Sequence, residues 1–355
     1  MIWVTWRQFR ATILFGALTP LLLAAITITV TVIGGGVIPS PYLQSCRSFD
    51  SSDCTVGNMQ TIAILSAIVL PVVLGAFVGV TVFSRDLERR THVLGLTQSV
   101  SRRRWYSVRI LVVFTPIVGA MTVLGCVLFA AKYNTAPDSF AMSFAGSSAS
   151  RLDFPIFGAT GFVAGAYTAV GLMVGSACAL AMRNTIAAMI TTVIVSTAFL
   201  ALLPTQLREH YATPQTDRVS VEQKVDDMYG GTPDYYRPGD SISLFPRWEF
   251  SADYVDSNGS PVPVDLMDCN WTQNYRDLSE FETVAEYEEY SDRQSVERRN
   301  IEIQCIRDQG AEAYETRYHE DRSFWRFQAI ESALSLVVAG LLGGVSLLLL
   351  RRLRP

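Results

Sequence analysis

The sequence predicts an α-helical polytopic membrane protein with six transmembrane helices, both termini cytoplasmic, and an α+β extracytoplasmic domain between helices 5 and 6. Three observations predict it. The 355 residues are 49% hydrophobic and only 17% charged, and the charges avoid six runs: 14–33, 62–83, 110–131, 156–182, 186–203 and 330–350. Each run matches the ~17–25 residues that a helix needs to cross the hydrocarbon core. Backbone polar groups cannot stay unpaired in lipid, so such runs read as helices. Arginines then gather on one side of the spans, and four cysteines fall on the other.

The elements follow in chain order. Residues 1–13 place Trp3, Trp6, Arg7 and Arg10 where an interfacial helix wants them. The run behind them is longer than a signal-peptide core and lacks a small-x-small cleavage site before Gly34, so it reads as a retained anchor. After the second run comes SRDLERRTHVLGLTQSVSRRRWYSVR, residues 84–109, with seven arginines and two acids. Leu87, Thr91 and Leu94 recur at helical spacing beside Arg85, Asp86 and Glu88, which predicts a short amphipathic helix on the membrane surface. Gly95 permits a bend. Thr97, Gln98 and Ser99 can cap a second short helix that Arg102, Arg103, Arg104 and Trp105 tie to the headgroups. A plain topology signal needs no such ordering.

The fourth run carries Gly161-x-x-x-Gly165 and Gly171-x-x-x-Gly175, a spacing that lets helices approach closely. These glycines read first as packing positions and second as candidate pathway positions. Met182-Arg183-Asn184-Thr185 forms a tight turn before the fifth run. Residues 204–326 make the extracytoplasmic domain; from 205 to 325 they hold 26 acids against 12 bases. Phe245, Trp248, Phe250 and Tyr254 suggest strands closed by the turn Ser257–Ser260, and Leu278, Phe281, Val284 or Ala285 and Tyr287 fall near helical spacing. Ala311–Gln328 is expected to be a helix that runs straight into the sixth span, and residues 327–355 hold that span and a basic tail.

Counting Lys and Arg on alternate sides gives thirteen against three in the short loops, which puts both termini inside. Cys46, Cys54, Cys269 and Cys305 all fall outside by this count, and an even number on the oxidising side suggests two disulfides. Of the three connectivities, Cys46 with Cys54 and Cys269 with Cys305 is favoured, because each closes a loop within one segment. Metal ligation by these cysteines is disfavoured, since no C-x-x-C pair is present.

Catalytic chemistry is not signalled. Neither Lys132 nor Lys224, the only lysines, follows a glycine, so no phosphate loop of the Walker type exists. His92, His210 and His319 are scattered, and neither H-E-x-x-H nor G-x-S-x-G occurs. Glu331 is the single charge inside the six runs. It lies about a turn from the outer boundary, so it reads as a carboxylate that reaches water, with gating as the alternative.

At this point the chain resembles the permease subunits of type-2 ABC exporters, in particular a bacterial branch. The carriers are Trp3-Val-Thr-Trp6-Arg7-Gln8-Phe-Arg10, Arg85-Asp86-Leu-Glu88-Arg-Arg90-Thr91-His92 and Thr97-Gln98-Ser99-Val100-Ser-Arg102-Arg-Arg-Trp105. Arg90 stands where the family pattern has Gly, and the 205–325 segment is far larger than its counterpart. The resemblance implies a bacterial cell-membrane subunit that binds no cofactor itself. ATP and Mg would belong to a separate nucleotide-binding subunit, gripped through Arg85, Asp86, Glu88, Thr91, Leu94, Gln98, Arg102 and Arg183. A second permease chain would complete the pathway, and no nucleic acid is expected. A membrane-anchored sensor whose acidic outer domain binds a ligand is the competing class, and a channel is the third.

Overall fold

The computed structural model describes residues 2–34, 55–88, 101–135, 150–182, 184–229, 247–269, 281 and 283–351. Among the described residues six apolar helices are long enough to span a membrane: Ile2–Ile33, Val56–Asp86, Arg102–Asn134, Val163–Met182, Thr185–His210 and Asp321–Leu350. They belong to one compact unit, residues 1–212, 245–248 and 320–355; a second unit comprises 213–244 and 249–319. These are called the membrane unit and the interspan unit.

In the membrane unit the first helix is continuous from Ile2 to Gly34, so residues 2–13 are its opening turns rather than a separate interfacial helix. No Gly or Pro interrupts the chain before Gly16, and Phe9 and Ile13 are already turned into the core. The second span is interrupted by a π-helical segment, Gly75–Gly79, packed against the fourth span. A methyl on Gly75 would stand 2.5 Å from the Gly171 carbonyl oxygen, and one on Gly79 2.6 Å from that of Leu172. Gly171 and Gly175 face the same crossing, and their added methyls would strike the backbone oxygens of Pro71 and Gly75. Gly165 lies against Thr122 and Val118 of the third span. These glycines are therefore in close contact with this chain's own helices, as the packing reading expects. Gly175→Ala should cost about 1–3 kcal/mol, because the atoms struck are backbone. Gly119→Ala, where the methyl meets nothing within 4 Å, should be neutral or mildly stabilising. Equal unfolding midpoints for the two variants in detergent would contradict the tight crossing.

The fourth span is shorter than the apolar run 156–182. A four-residue helix, Ile156–Ala159, precedes a break, and the membrane helix starts at Val163. Gly161 sits at φ +68°, a conformation that only glycine adopts without strain.

A three-stranded sheet, most of it in the interspan unit, has strands β1 (Gln215–Ser220), β2 (Arg247–Val255) and β3 (Ala313–Glu320), with order β1-β3-β2. β1 and β3 pair antiparallel, Gln215 opposite Tyr318 and Ser220 opposite Ala313. β3 overturns the helix expected over Ala311–Gln328. Tyr314, Thr316 and Tyr318 favour a pleated strand, the preceding helix ends at Asp308 and is followed by Gly310 at φ +94°, and the sixth-span α-helix starts only at Phe324. The turn after β2 matches expectation: the Asp256 carboxylate accepts the amides of Asn258 and Ser260, each at 2.8 Å, with Gly259 at φ +81°. The Ser260 amide leads the causes that hold the Asp256 carboxyl below the usual carboxylate range.

The long interspan helix begins at Val284, capped by Thr283, so Phe281 precedes it and its ring meets those of Tyr287 and Tyr290. Its far end packs Ile306 against Val221 and Val225 of the helix Val221–Tyr229, with Ala311 in the same small core. Cys269 and Cys305 form a disulfide with Cα atoms 5.6 Å apart. Cys46, Cys54, Phe245 and Leu278 lie outside the described residues.

Candidate coupling face and buried ion pairs

On one face of the membrane unit, the second span ends in the helix Val80–Glu88. Arg85 is exposed there, whereas Asp86 is ion-paired with Arg109 at the start of the third span. Arg109 also donates to the Val82 carbonyl at 2.9 Å and stacks over the rings of Trp105, at 4.2 Å, and Phe9, at 5.2 Å. This buried guanidinium joins spans one, two and three. Arg109 is one of the seven arginines read from sequence as charged loop, and its burial leaves it no exposed guanidinium for docking.

Glu88 does something else. Its Oε1 accepts both the amide of Thr185, at 3.0 Å, and the Thr185 hydroxyl, at 2.6 Å. Asn184 caps the same helix by accepting the Ala187 amide at 3.1 Å. A carboxylate at a helix N-terminus is favoured by the dipole and by the free amides. The Thr185 hydroxyl, followed by its amide, holds the Glu88 carboxyl below the usual range. The tie is therefore present at neutral pH and is lost as pH falls through that lowered pKa. Two sequence segments singled out separately, 84–109 and 182–185, are thus joined. Arg102 reaches the last turn of the sixth span, with Nη1 3.5 Å from the Leu350 carbonyl. Thr91, Leu94, Gln98 and Arg183 lie outside the described residues.

At the other end of the bundle the structure corrects the reading of Glu331. It does not reach water: its side chain is 0% exposed and that of its partner Arg208 1%. Arg208 Nε and Nη2 donate to the two carboxylate oxygens at 3.1 and 3.0 Å, Tyr167 adds its hydroxyl, and Arg208 Nη1 donates to the Leu152 carbonyl at 2.8 Å. The guanidinium also lies 4.0 Å from the Phe157 ring. Such bidentate, fully hydrogen-bonded geometry is what a buried pair requires to persist in a medium of low polarity. Sequence reasoning missed Arg208 by ending the fifth span at Leu203. The helix instead continues through a π-helical segment, Leu203–Leu207, with Pro204 in its first turn, and delivers Arg208 to the core. The signal was a lone intramembrane carboxylate, which demands a counter-ion.

Gln328, one turn before Glu331, repairs the break in the fourth span. Its Oε1 accepts the Val163 amide at 3.0 Å, and its Nε2 donates to the carbonyls of Phe157 and Thr160, both at 3.0 Å. Interrupted helices survive in membranes only where such partners satisfy the freed backbone.

Among the described residues no three His, Cys, Asp or Glu side chains converge as a metal site. Neither the curated proteins nor the solved structures contain a significant match to the chain. Residues 42–208, spanning helices two to five, match the family model described as ABC-2 membrane transporter related, and the chain is accordingly a polytopic membrane protein similar to that transporter family.

Proposed function

We propose that this chain is the membrane-spanning permease subunit of an ATP-driven exporter of the bacterial cell membrane, with both termini cytoplasmic. Separate nucleotide-binding subunits hydrolyse ATP and grip the loop 84–109, and a second permease chain completes the pathway. The observation that carries the reading is the Glu88–Thr185 tie. It makes the end of span two and the start of span five a single joined surface, so force applied to the loop reaches two spans at once. Arg85 is exposed on that surface to meet a partner, while Asp86 and Glu88 are occupied within the chain and act by holding it in shape.

The test uses the chain co-expressed with its cognate ATPase subunit. Leu94→Ala leaves every arginine in place, so insertion should persist, and loss of an apolar anchor at a docking surface should weaken co-purification by about 1–3 kcal/mol. Glu88→Ala should leave insertion intact and uncouple ATP hydrolysis from transport, and Glu88→Gln should recover part of the coupling. Unchanged co-purification, ATPase activity and transport in the Glu88→Ala, Leu94→Ala double variant would reduce residues 84–109 to a charged anchor.

A further inference from the structure

Spans three, four and six leave an apolar groove of about 330 Å³ on the flank of the membrane unit. Ile110 and Phe114 line it from the third span, Ala169 and Met173 from the fourth, and Ala339 and Gly340 from the sixth; Thr115 is the one polar residue in the lining. The groove does not lie at random depth. At 1.5 Å per residue, Ile110 is about 12 Å from Arg102, Met173 about 14 Å from Met182 and Ala339 about 16 Å from Leu350. All three walls therefore reach the same membrane face at nearly the same distance from the groove.

That face is cationic where the walls end. Arg102 ties the start of span three to the last turn of span six through the Leu350 carbonyl. Arg103 precedes Ile110 by seven residues, two turns along the same helix face. Arg103 and Arg351 are both exposed, and neither makes an ion pair among the described residues. Cations at the ends of the span-three and span-six walls and an apolar slot beneath match a molecule with an anionic head and an aliphatic tail.

We propose that the groove holds an acyl chain of one anionic bilayer phospholipid, with its phosphate against Arg103 and Arg351. The lipid would seal the flank of the bundle between spans three and six. This inference rests on the six-span fold and is independent of the transport reading.

Native mass spectrometry of the purified full chain, exchanged into mixed micelles with phosphatidylglycerol or phosphatidylcholine, tests it. One phosphatidylglycerol should be retained in preference to phosphatidylcholine. At about 1 kcal/mol per arginine, the Arg103→Gln, Arg351→Gln double variant should lose about 30-fold of that preference. Lysine at both positions should keep most of it. Arg7→Gln with Arg10→Gln removes the same charge from span one, which does not line the groove, and should leave the preference intact. Gly340 has open space where a side chain would start, so Gly340→Leu should fill the groove and reduce retention of both lipids in a folded protein. Equal retention of the two lipids by the wild-type chain would overturn the proposal. So would an equal loss in the Arg7, Arg10 variant, which would mean diffuse surface attraction. A shift in oligomeric mass with Gly340→Leu, without change in lipid retention, would assign the groove to a second copy instead.

Discussion

Glu331→Ala should destabilise the membrane unit by about 3–5 kcal/mol, the range for breaking a buried ion pair by removing one partner. Arg208 would keep the Leu152 carbonyl and the Phe157 ring but would face no counter-charge, and Tyr167 would lose the oxygen that accepts its hydrogen bond. The loss should appear as a lowered unfolding midpoint in detergent. Arg208→Met combined with Glu331→Leu should fold far better than either single change to alanine, because no charge is left stranded; such apolar replacements of buried pairs are often neutral. If Glu331→Ala cost less than about 1 kcal/mol, the carboxylate would have to be hydrated and the buried-pair description would fail.

Gln328→Leu is expected to act on a neighbouring weak point by a different route. The side chain keeps its approximate volume and loses its amide, leaving the Phe157 and Thr160 carbonyls and the Val163 amide without the partner they have now. At about 1–3 kcal/mol for each buried group left unsatisfied, the total should be about 3 kcal/mol or more. The effect should be local before it is global: amide exchange should accelerate at Val163 and across Ile156–Ala159, while the second-span crossing at Gly75–Gly79 stays protected. Exchange and unfolding unchanged from wild type would show that lipid or water already serves those groups.

The interspan unit shows where sequence patterns hold and where they fail. The turn after β2 was readable because an Asx-type turn with glycine is a local device, complete within Asp256–Ser260. The helix expected over Ala311–Gln328 fails because the alternating Tyr314, Thr316 and Tyr318 suit a strand rather than an extension of the sixth span. What selects the strand at Ala313–Glu320 is pairing with β1, almost a hundred residues earlier in the chain. Local propensity carries no information about such a partner.

The sequence by itself determined six membrane helices, because spanning lipid demands long uncharged runs with internally satisfied backbones, and both requirements are written locally. It also marked residues 84–109 and 182–185 as ordered polar segments and Glu331 as a charge out of place. Only the tertiary structure decided what these groups do. Glu88 meets Thr185, Asp86 meets Arg109, Glu331 meets Arg208, and Gln328 mends the fourth span across more than 160 residues of sequence. The physical reason is the same each time: a polar group removed from water is stable only beside a specific partner, and the partner is chosen by helix packing rather than by its neighbours in the chain.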